Sequence, residues 1–207
     1  MQITELFFSL QGEGKNVGLP TIFVRTTGCN LCCSYCDTTY AYEDGKYMDI
    51  PDIITVIQQW SCHRVCITGG EPLLQEELPE LVEALLAESY AIEVETNGSQ
   101  DIVWLTENDV SLSMDIKCPS SSMQTEMNMD NIGRLRPQDQ LKFIIDNQED
   151  YDYALSIINR YTPRCEVVMQ PVWGSNVPLA DWIIRDEIDV RFSMQLHKIM
   201  WGDRKGL

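Results

Sequence analysis

Short apolar runs and amphipathic stripes alternate along this chain, and each apolar run stops at a polar or glycine position. Residues 21–25, Thr-Ile-Phe-Val-Arg, are rich in strand formers, and the run ends by Gly28. Pro51 suits a first helical turn, and Ile53, Ile54, Ile57 and Trp60 follow on one stripe. Residues 64–68 predict a strand that ends in Gly69-Gly70. Residues 75–88 form the clearest helix, with Leu78, Leu81, Val82, Leu85 and Leu86 at helical spacing. Further strands are predicted over 91–95, 110–116, 141–145, 165–169 and 190–196, and helices over about 149–160 and 178–184. Residues 119–131, rich in Ser and Met, predict an irregular loop.

Strands alternating with helices predict a parallel sheet with crossover helices, in one domain over residues 1–207. About six such units are too few for a closed eight-strand barrel. The expected fold is therefore α/β, a partial open (β/α) barrel of about six parallel strands with outer helices; a doubly wound sheet is the alternative. The strand ends favour the barrel. Polar groups recur at each C-terminal end: Thr27 and Gly28, residues 68–71, residues 95–97, Asp115 and Lys117, Lys142, Gln170 and His197. Ligands of parallel α/β folds sit at those ends.

Composition narrows the function. The hydrophobic fraction of 44% and aromatic fraction of 9% are those of a globular chain. With 15 Lys and Arg against 32 Asp and Glu, the net charge is −17. That balance argues against nucleic acid as the main partner, because phosphate neutralisation needs a basic surface. The first residues carry neither a basic segment nor a long apolar run, so no export signal is expected, and no run has the length of a membrane span. A cytoplasmic protein with eight cysteines points to metal or catalysis rather than disulfides. Cys66 and Cys165, inside or at the start of apolar runs, read as buried structural thiols.

The chemistry concentrates in Gly28-Cys29-Asn30-Leu31-Cys32-Cys33-Ser34-Tyr35-Cys36-Asp37. Cys29, Cys33 and Cys36 stand at i, i+4 and i+7. Closely spaced thiolates hold iron–sulfur clusters, and three ligands on a four-iron cluster leave one iron open. Cys29-x-x-Cys32 and Cys33-x-x-Cys36 also make two abutting pairs, so zinc is an alternative, although zinc ribbons separate their pairs by a longer span. A redox dithiol is a third reading. Downstream, Thr68-Gly69-Gly70-Glu71-Pro72 lies between a strand and a helix. Its glycines let backbone amides approach a ligand, and Glu71 offers an acceptor for an ammonium group.

Cys29-x3-Cys33-x2-Cys36 with Gly69-Gly70-Glu71-Pro72 resembles the radical S-adenosylmethionine (SAM) superfamily. Over the whole chain, six further segments resemble the 7-carboxy-7-deazaguanine synthase family. They are Ser9-Leu10-Gln11-Gly12-Glu13-Gly14, Arg25, Cys36-Asp37-Thr38, Glu95-Thr96-Asn97-Gly98, Ser113-x-Asp115-x-Lys117 and Gln195-Leu196-His197-Lys198. The resemblance implies a 4Fe-4S cluster on Cys29, Cys33 and Cys36, with SAM on the fourth iron, and it leaves Cys32 a bystander. It implies ring contraction of 6-carboxy-5,6,7,8-tetrahydropterin to 7-carboxy-7-deazaguanine with loss of ammonia, in a queuosine or archaeosine pathway. It further implies Mg2+ on Thr38, an electron donor such as flavodoxin or ferredoxin, and a homodimer. Other radical SAM activities, such as a glycyl-radical activase, and a non-catalytic zinc or electron-transfer module are the competing readings.

Residue by residue, the resemblance implies substrate contacts from Leu10, Gln11, Gly12, Glu13, Arg25, Thr68 and His197, and from the carboxylate of Leu207 as residues 197–207 fold over the site. Arg25 suits a carboxylate fork, or a salt bridge at the barrel rim. Gln11 and Glu13 suit the donor and acceptor edge of a pterin, or a solvated loop. SAM contacts are implied for Tyr35, Cys36, Asp37, Gly70, Glu71, Ser113, Met114, Asp115, Lys142 and Gln170. Ser113 and Asp115 would hold ribose hydroxyls. Lys142 would meet the SAM carboxylate or else neutralise Asp115.

Overall fold

The computed structural model describes every residue except Lys205 and Leu207. The chain opens with a hairpin, β1 (Gln2–Leu10) and β2 (Pro20–Thr26), followed by a short β3 (Lys46–Tyr47) and α1 (Ile50–Ile57). Strands and helices then alternate: β4 (Arg64–Gly69), α2 (Leu78–Ala87), β5 (Ala91–Thr96), α3 (Val103–Thr106), β6 (Val110–Ile116) and β7 (Gln140–Ile145). The chain ends with α4 (Gln148–Tyr161), β8 (Glu166–Pro171), α5 (Leu179–Arg185), β9 (Arg191–Phe192) and α6 (Leu196–Trp201).

Among the described residues nine strands form one sheet in the order β3-β1-β2-β4-β5-β6-β7-β8-β9. From β2 onward the pairs are parallel, while β1 is antiparallel to both its neighbours. The parallel strands, β2 and β4 to β9, follow chain order without reversing, which removes the doubly wound alternative, since that fold needs a switch point. β3 and β9 stay unpaired to one another, so the barrel is open. No helix among the described residues is long and apolar enough to cross a membrane.

Strand alternation assigns two faces. One face packs Ile22, Val24, Val65, Ile67, Val94 and Leu112 against the helices, where Ile53, Ile57, Leu81 and Leu85 are fully buried. The opposite face is the lumen, and its residues are mostly polar. Register sets Arg25 beside Thr68, Glu95 beside Ser113 and Asp115 beside Lys142. The cap of α4 is local chemistry: the Asn147 side chain accepts from the Asp150 amide at 3.1 Å.

Three segments depart from the sequence reading. The strand expected over 190–196 is only Arg191–Phe192, and Leu196 already begins α6. The alternation of residues 190–196 continues past the point where this edge strand has a partner. Residues 119–131 are not structureless, because 3-10 turns form at Pro119–Ser121, Gln124–Glu126 and Met129–Arg134. The Asn131 amide pins this stretch by donating to the Gly98 and Gln100 carbonyls. β1, a nine-residue strand, was not expected at all.

Candidate active site

The lumen holds a cavity of about 560 Å³. Its upper rim is the cysteine loop that leaves β2. Gly28 makes the exit turn with φ of 95° and donates its amide to the Ala41 carbonyl at 2.8 Å. Cys29, Cys33 and Cys36 line the cavity, whereas Cys32 is exposed and outside the lining. Burial raises the Cys29 and Cys33 thiols above the usual range, and Cys33 also feels the charges of Cys36 and Cys29. Coordination to a cation would deprotonate these thiols outright. The Leu31 amide approaches the Cys29 sulfur at 3.5 Å and the Asn97 side chain at 3.8 Å, contacts of the kind that tune a cluster.

The glycine turn after β4 seats under this loop. The Glu71 amide donates to the Gly28 carbonyl at 2.7 Å, and a Cβ on Gly70 would overlap that same carbonyl. Gly70 lies on the cavity and Glu71 does not. The Glu71 carboxylate is fully buried and accepts from the Leu73 amide, the Thr96 hydroxyl and the Asn97 amide at 3.1, 2.8 and 2.6 Å. Its geometry is that of a clamp between two strand-end turns, not of an acceptor held ready for an ammonium group. Burial still raises its carboxyl against the three hydrogen bonds.

Charge pairs run down the wall. Lys142 contacts Glu13 at 2.8 Å and Asp115 at 3.2 Å, and Lys117 contacts Asp115 at 2.7 Å. Burial alone would raise the Glu13 carboxyl, but Lys142 overrides it and holds it down at about 2. Lys117 and Lys142 likewise hold Asp115 below its usual range despite burial. Lys142 therefore neutralises Asp115, the second of the two roles weighed for it, and Glu13 as well. Arg25 pairs with Glu5 at 2.7 Å while its guanidinium lies near the Phe7 and Tyr40 rings and on the cavity. Thr68 donates to Glu95 at 2.8 Å, and both line the cavity.

The floor is the β1–β2 loop, which crosses the N-terminal edge of the parallel strands. Leu10, Gln11, Gly12 and Glu13 all face the cavity. The Gln11 amide, however, is buried and engaged: its nitrogen donates to Glu93 and Glu95 at 2.9 and 3.1 Å, and its oxygen accepts from the Gly12 amide at 2.8 Å. Gln11 thus faces the cavity with its side-chain amide already engaged by the frame. A Cβ on Gly12 would overlap the His197 ring, so glycine is what lets α6 pack there. Gln195 donates to Glu13 at 2.8 Å and Asp37 at 3.2 Å, and Lys198 pairs with Asp37 at 3.2 Å. α6 thereby ties the floor to the cysteine loop.

Tyr35, Asp37, Thr38, Gln170 and His197 also line the cavity. The Tyr35 hydroxyl and the Gln170 side-chain oxygen are buried without a hydrogen-bond partner among the described residues, so the cavity offers polar atoms for a guest. Thr38 presents a hydroxyl that donates to Asp37, an oxygen pair of the kind a hard cation takes. Besides Glu71, two implied SAM contacts do not reach the lining. Ser113 accepts from Gln140 at 2.8 Å one step below Asp115, and Met114 is fully buried on the helix side. Leu207 lies outside the described residues. Lys117, Glu95, Asn97, Gln195 and Lys198 were visible only as strand-end or motif positions, and all five line the cavity. Phe23 and Trp173 do too. Phe23 was legible by alternation with Arg25, while nothing in the local pattern marked Trp173.

The chain was then compared with known proteins. The model of the radical SAM superfamily matches residues 23–159. A 7-carboxy-7-deazaguanine synthase of Thermoplasma acidophilum is 38% identical over the full length of both chains. One of Methanospirillum hungatei is 38% identical, over 97% of this chain and 85% of the relative. Among solved structures, QueE from Escherichia coli superposes with a TM-score of 0.79 at 24% identity, covering 95% of this chain and 94% of that one. Streptococcus suis SuiB bound to precursor peptide SuiA matches with a TM-score of 0.63 at 14% identity, over 83% of this chain and 47% of that one. These two likenesses speak to the fold.

Proposed function

Because the chain belongs to the radical SAM superfamily, and within it to the 7-carboxy-7-deazaguanine synthases, we propose that it contracts the ring of 6-carboxy-5,6,7,8-tetrahydropterin to 7-carboxy-7-deazaguanine with release of ammonia. Membership makes it an enzyme of deazapurine biosynthesis that uses a 4Fe-4S cluster and SAM. The observation that carries the proposal is one cavity with three thiols at its top and a charged, hydrogen-bonding wall and floor.

The residues present fit those groups. Cys29, Cys33 and Cys36 would hold the cluster, and three protein ligands leave a place for SAM. When bound, the cluster and SAM supply the radical that starts the reaction. Gly70, Tyr35, Asp37, Asp115 and Gln170 would seat SAM, and Thr38 would take Mg2+ with oxygens from substrate and water. Arg25 would orient the substrate carboxylate as a planar fork. Thr68 and Glu95 would meet donors of the pterin. Glu13, fixed as an anion by Lys142, presents a permanent acceptor. The chain does little proton transfer; it positions the substrate and keeps water from a reactive intermediate. The tail that begins at His197 would close the site, the functional form would be a homodimer, and a flavodoxin- or ferredoxin-like donor would supply the electron in the cytoplasm.

The test is turnover by anaerobically reconstituted protein with SAM, Mg2+, a reductant and the carboxytetrahydropterin. The expected result is carboxydeazaguanine by mass spectrometry. Its absence from protein with full iron and sulfide content would sink the proposal.

A further inference from the structure

Below the cavity, the Cys66 sulfur and carboxylate oxygens of Glu93 and Glu95 all lie within 4.8 Å of one another. Three such groups suggest a cation. The Gln11 side-chain nitrogen, however, sits among them at 2.9 Å from Glu93, 3.1 Å from Glu95 and 3.6 Å from Cys66. An amide group occupies the place a cation would need. The second oxygen of Glu93 accepts from the Asn16 side chain at 2.6 Å. Both residues that Glu93 grips belong to the β1–β2 loop, which forms the cavity floor. Glu93 itself is 6% exposed and is not part of the lining.

We propose that Glu93 is a positioning residue: by holding the Gln11 and Asn16 amides it fixes residues 10–13 against the substrate. The chain of contacts is continuous. Glu93 orients the Gln11 amide, the Gln11 oxygen accepts from the Gly12 amide, and Glu13 follows into its pairing with Lys142. The loop's far side is tied separately, by the Lys15 amide donating to Gln140 at 2.8 Å. Burial, and then the charge of Glu95, push the Glu93 carboxyl up to about 7. A second acid so close to Glu95 is unfavourable by charge, and the hydrogen bonds from the Gln11 and Asn16 amides are what it gains at this position. The arrangement makes sense as a device for placing the floor.

The inference rests on the cavity being the substrate site proposed above. Its test uses the reconstituted holoenzyme with Glu93→Ala, Glu93→Gln and Asn16→Ala. Glu93→Ala should raise KM for the pterin at least tenfold while kcat falls less than threefold. Glu93→Gln, which keeps one acceptor, should recover part of that loss, and Asn16→Ala should raise KM by a smaller factor. Asn16→Ala added to Glu93→Ala should change KM less than twofold further, because the contact is already gone. Hydrogen exchange gives a readout independent of turnover: amides of residues 11–19 should exchange at least tenfold faster in Glu93→Ala, with the cysteine loop unchanged. An unaltered KM, or exchange that quickens equally throughout the chain, would overturn the proposal. If the wild type fails to turn over the pterin, the functional reading fails, and the exchange experiment still decides whether Glu93 holds the floor.

Discussion

Replacing Lys142 with Met removes one charge from the cavity wall and keeps an unbranched side chain of similar length. Lys142 is 7% exposed and is the cation that holds Glu13 at 2.8 Å. A Glu13 carboxyl at about 2, against an ordinary 4.5, corresponds to roughly 3 kcal/mol at neutral pH, taking about 1.4 kcal/mol per pH unit. The sign follows from the lowered value. The stabilisation is fully present above pH 4.5 and is lost as the pH falls through about 2. Asp115 adds to it in the same direction but keeps Lys117. Breaking a buried pair by removing one partner costs about 3–5 kcal/mol, which agrees. Lys142→Met should therefore lower stability at pH 7 by about 3 kcal/mol, or roughly 6–12 °C in Tm for a chain of this size. Urea unfolding of the apoprotein at pH 7, 5 and 3 measures it. The gap to the wild type should narrow steadily as the pH falls from 7 to 3, because burial raises a Glu13 carboxyl that has lost Lys142 and the mutant relieves the penalty by taking up a proton. A gap below 1 kcal/mol at pH 7, or one independent of pH down to 3, would refute the assignment of Glu13 as an anion held by Lys142.

Three other outcomes are expected. Cys32→Ala should reconstitute with unchanged iron and sulfide content, while Cys33→Ala should lose the cluster absorbance; loss in Cys32→Ala would mean that a different set of three thiols binds. Gly70→Ala forces the turn away from the Gly28 carbonyl, so it should destabilise by on the order of 3 kcal/mol and weaken SAM binding in equilibrium titration. Asn147→Ala removes the α4 cap and should cost about 1 kcal/mol, read as a Tm shift of roughly 2–4 °C with SAM binding unaffected.

What was legible in the chain was local. The alternation of apolar runs with helical stripes gave β2, β4, β5, β6, β7 and β8 and the helices α1, α2, α4 and α5, because each stripe repeats over a few residues, whereas the four-residue α3 is too short to show one. The spacing of Cys29, Cys33 and Cys36, and the glycines after β4, marked where chemistry would gather. β1 was missed because residues 2–10 alternate weakly, and its partner across the hairpin decides its conformation. The strand expected to Leu196 ended early because only β8 pairs with it.

Tertiary structure alone decided which polar side chains face a ligand and which serve the frame. Glu71 and Gln11 look like binding residues along the chain, yet in the fold their polar atoms meet a backbone amide 26 positions away and a carboxylate 84 positions away. Lys142 and Glu13 are 129 residues apart, and Gln195 and Glu13 are 182 apart. Periodicity records which face a side chain takes. It does not record what lies opposite, because that depends on how the strands are ordered and how far the lumen is filled. The three thiols belong to the first kind of information and the partner of each carboxylate belongs to the second.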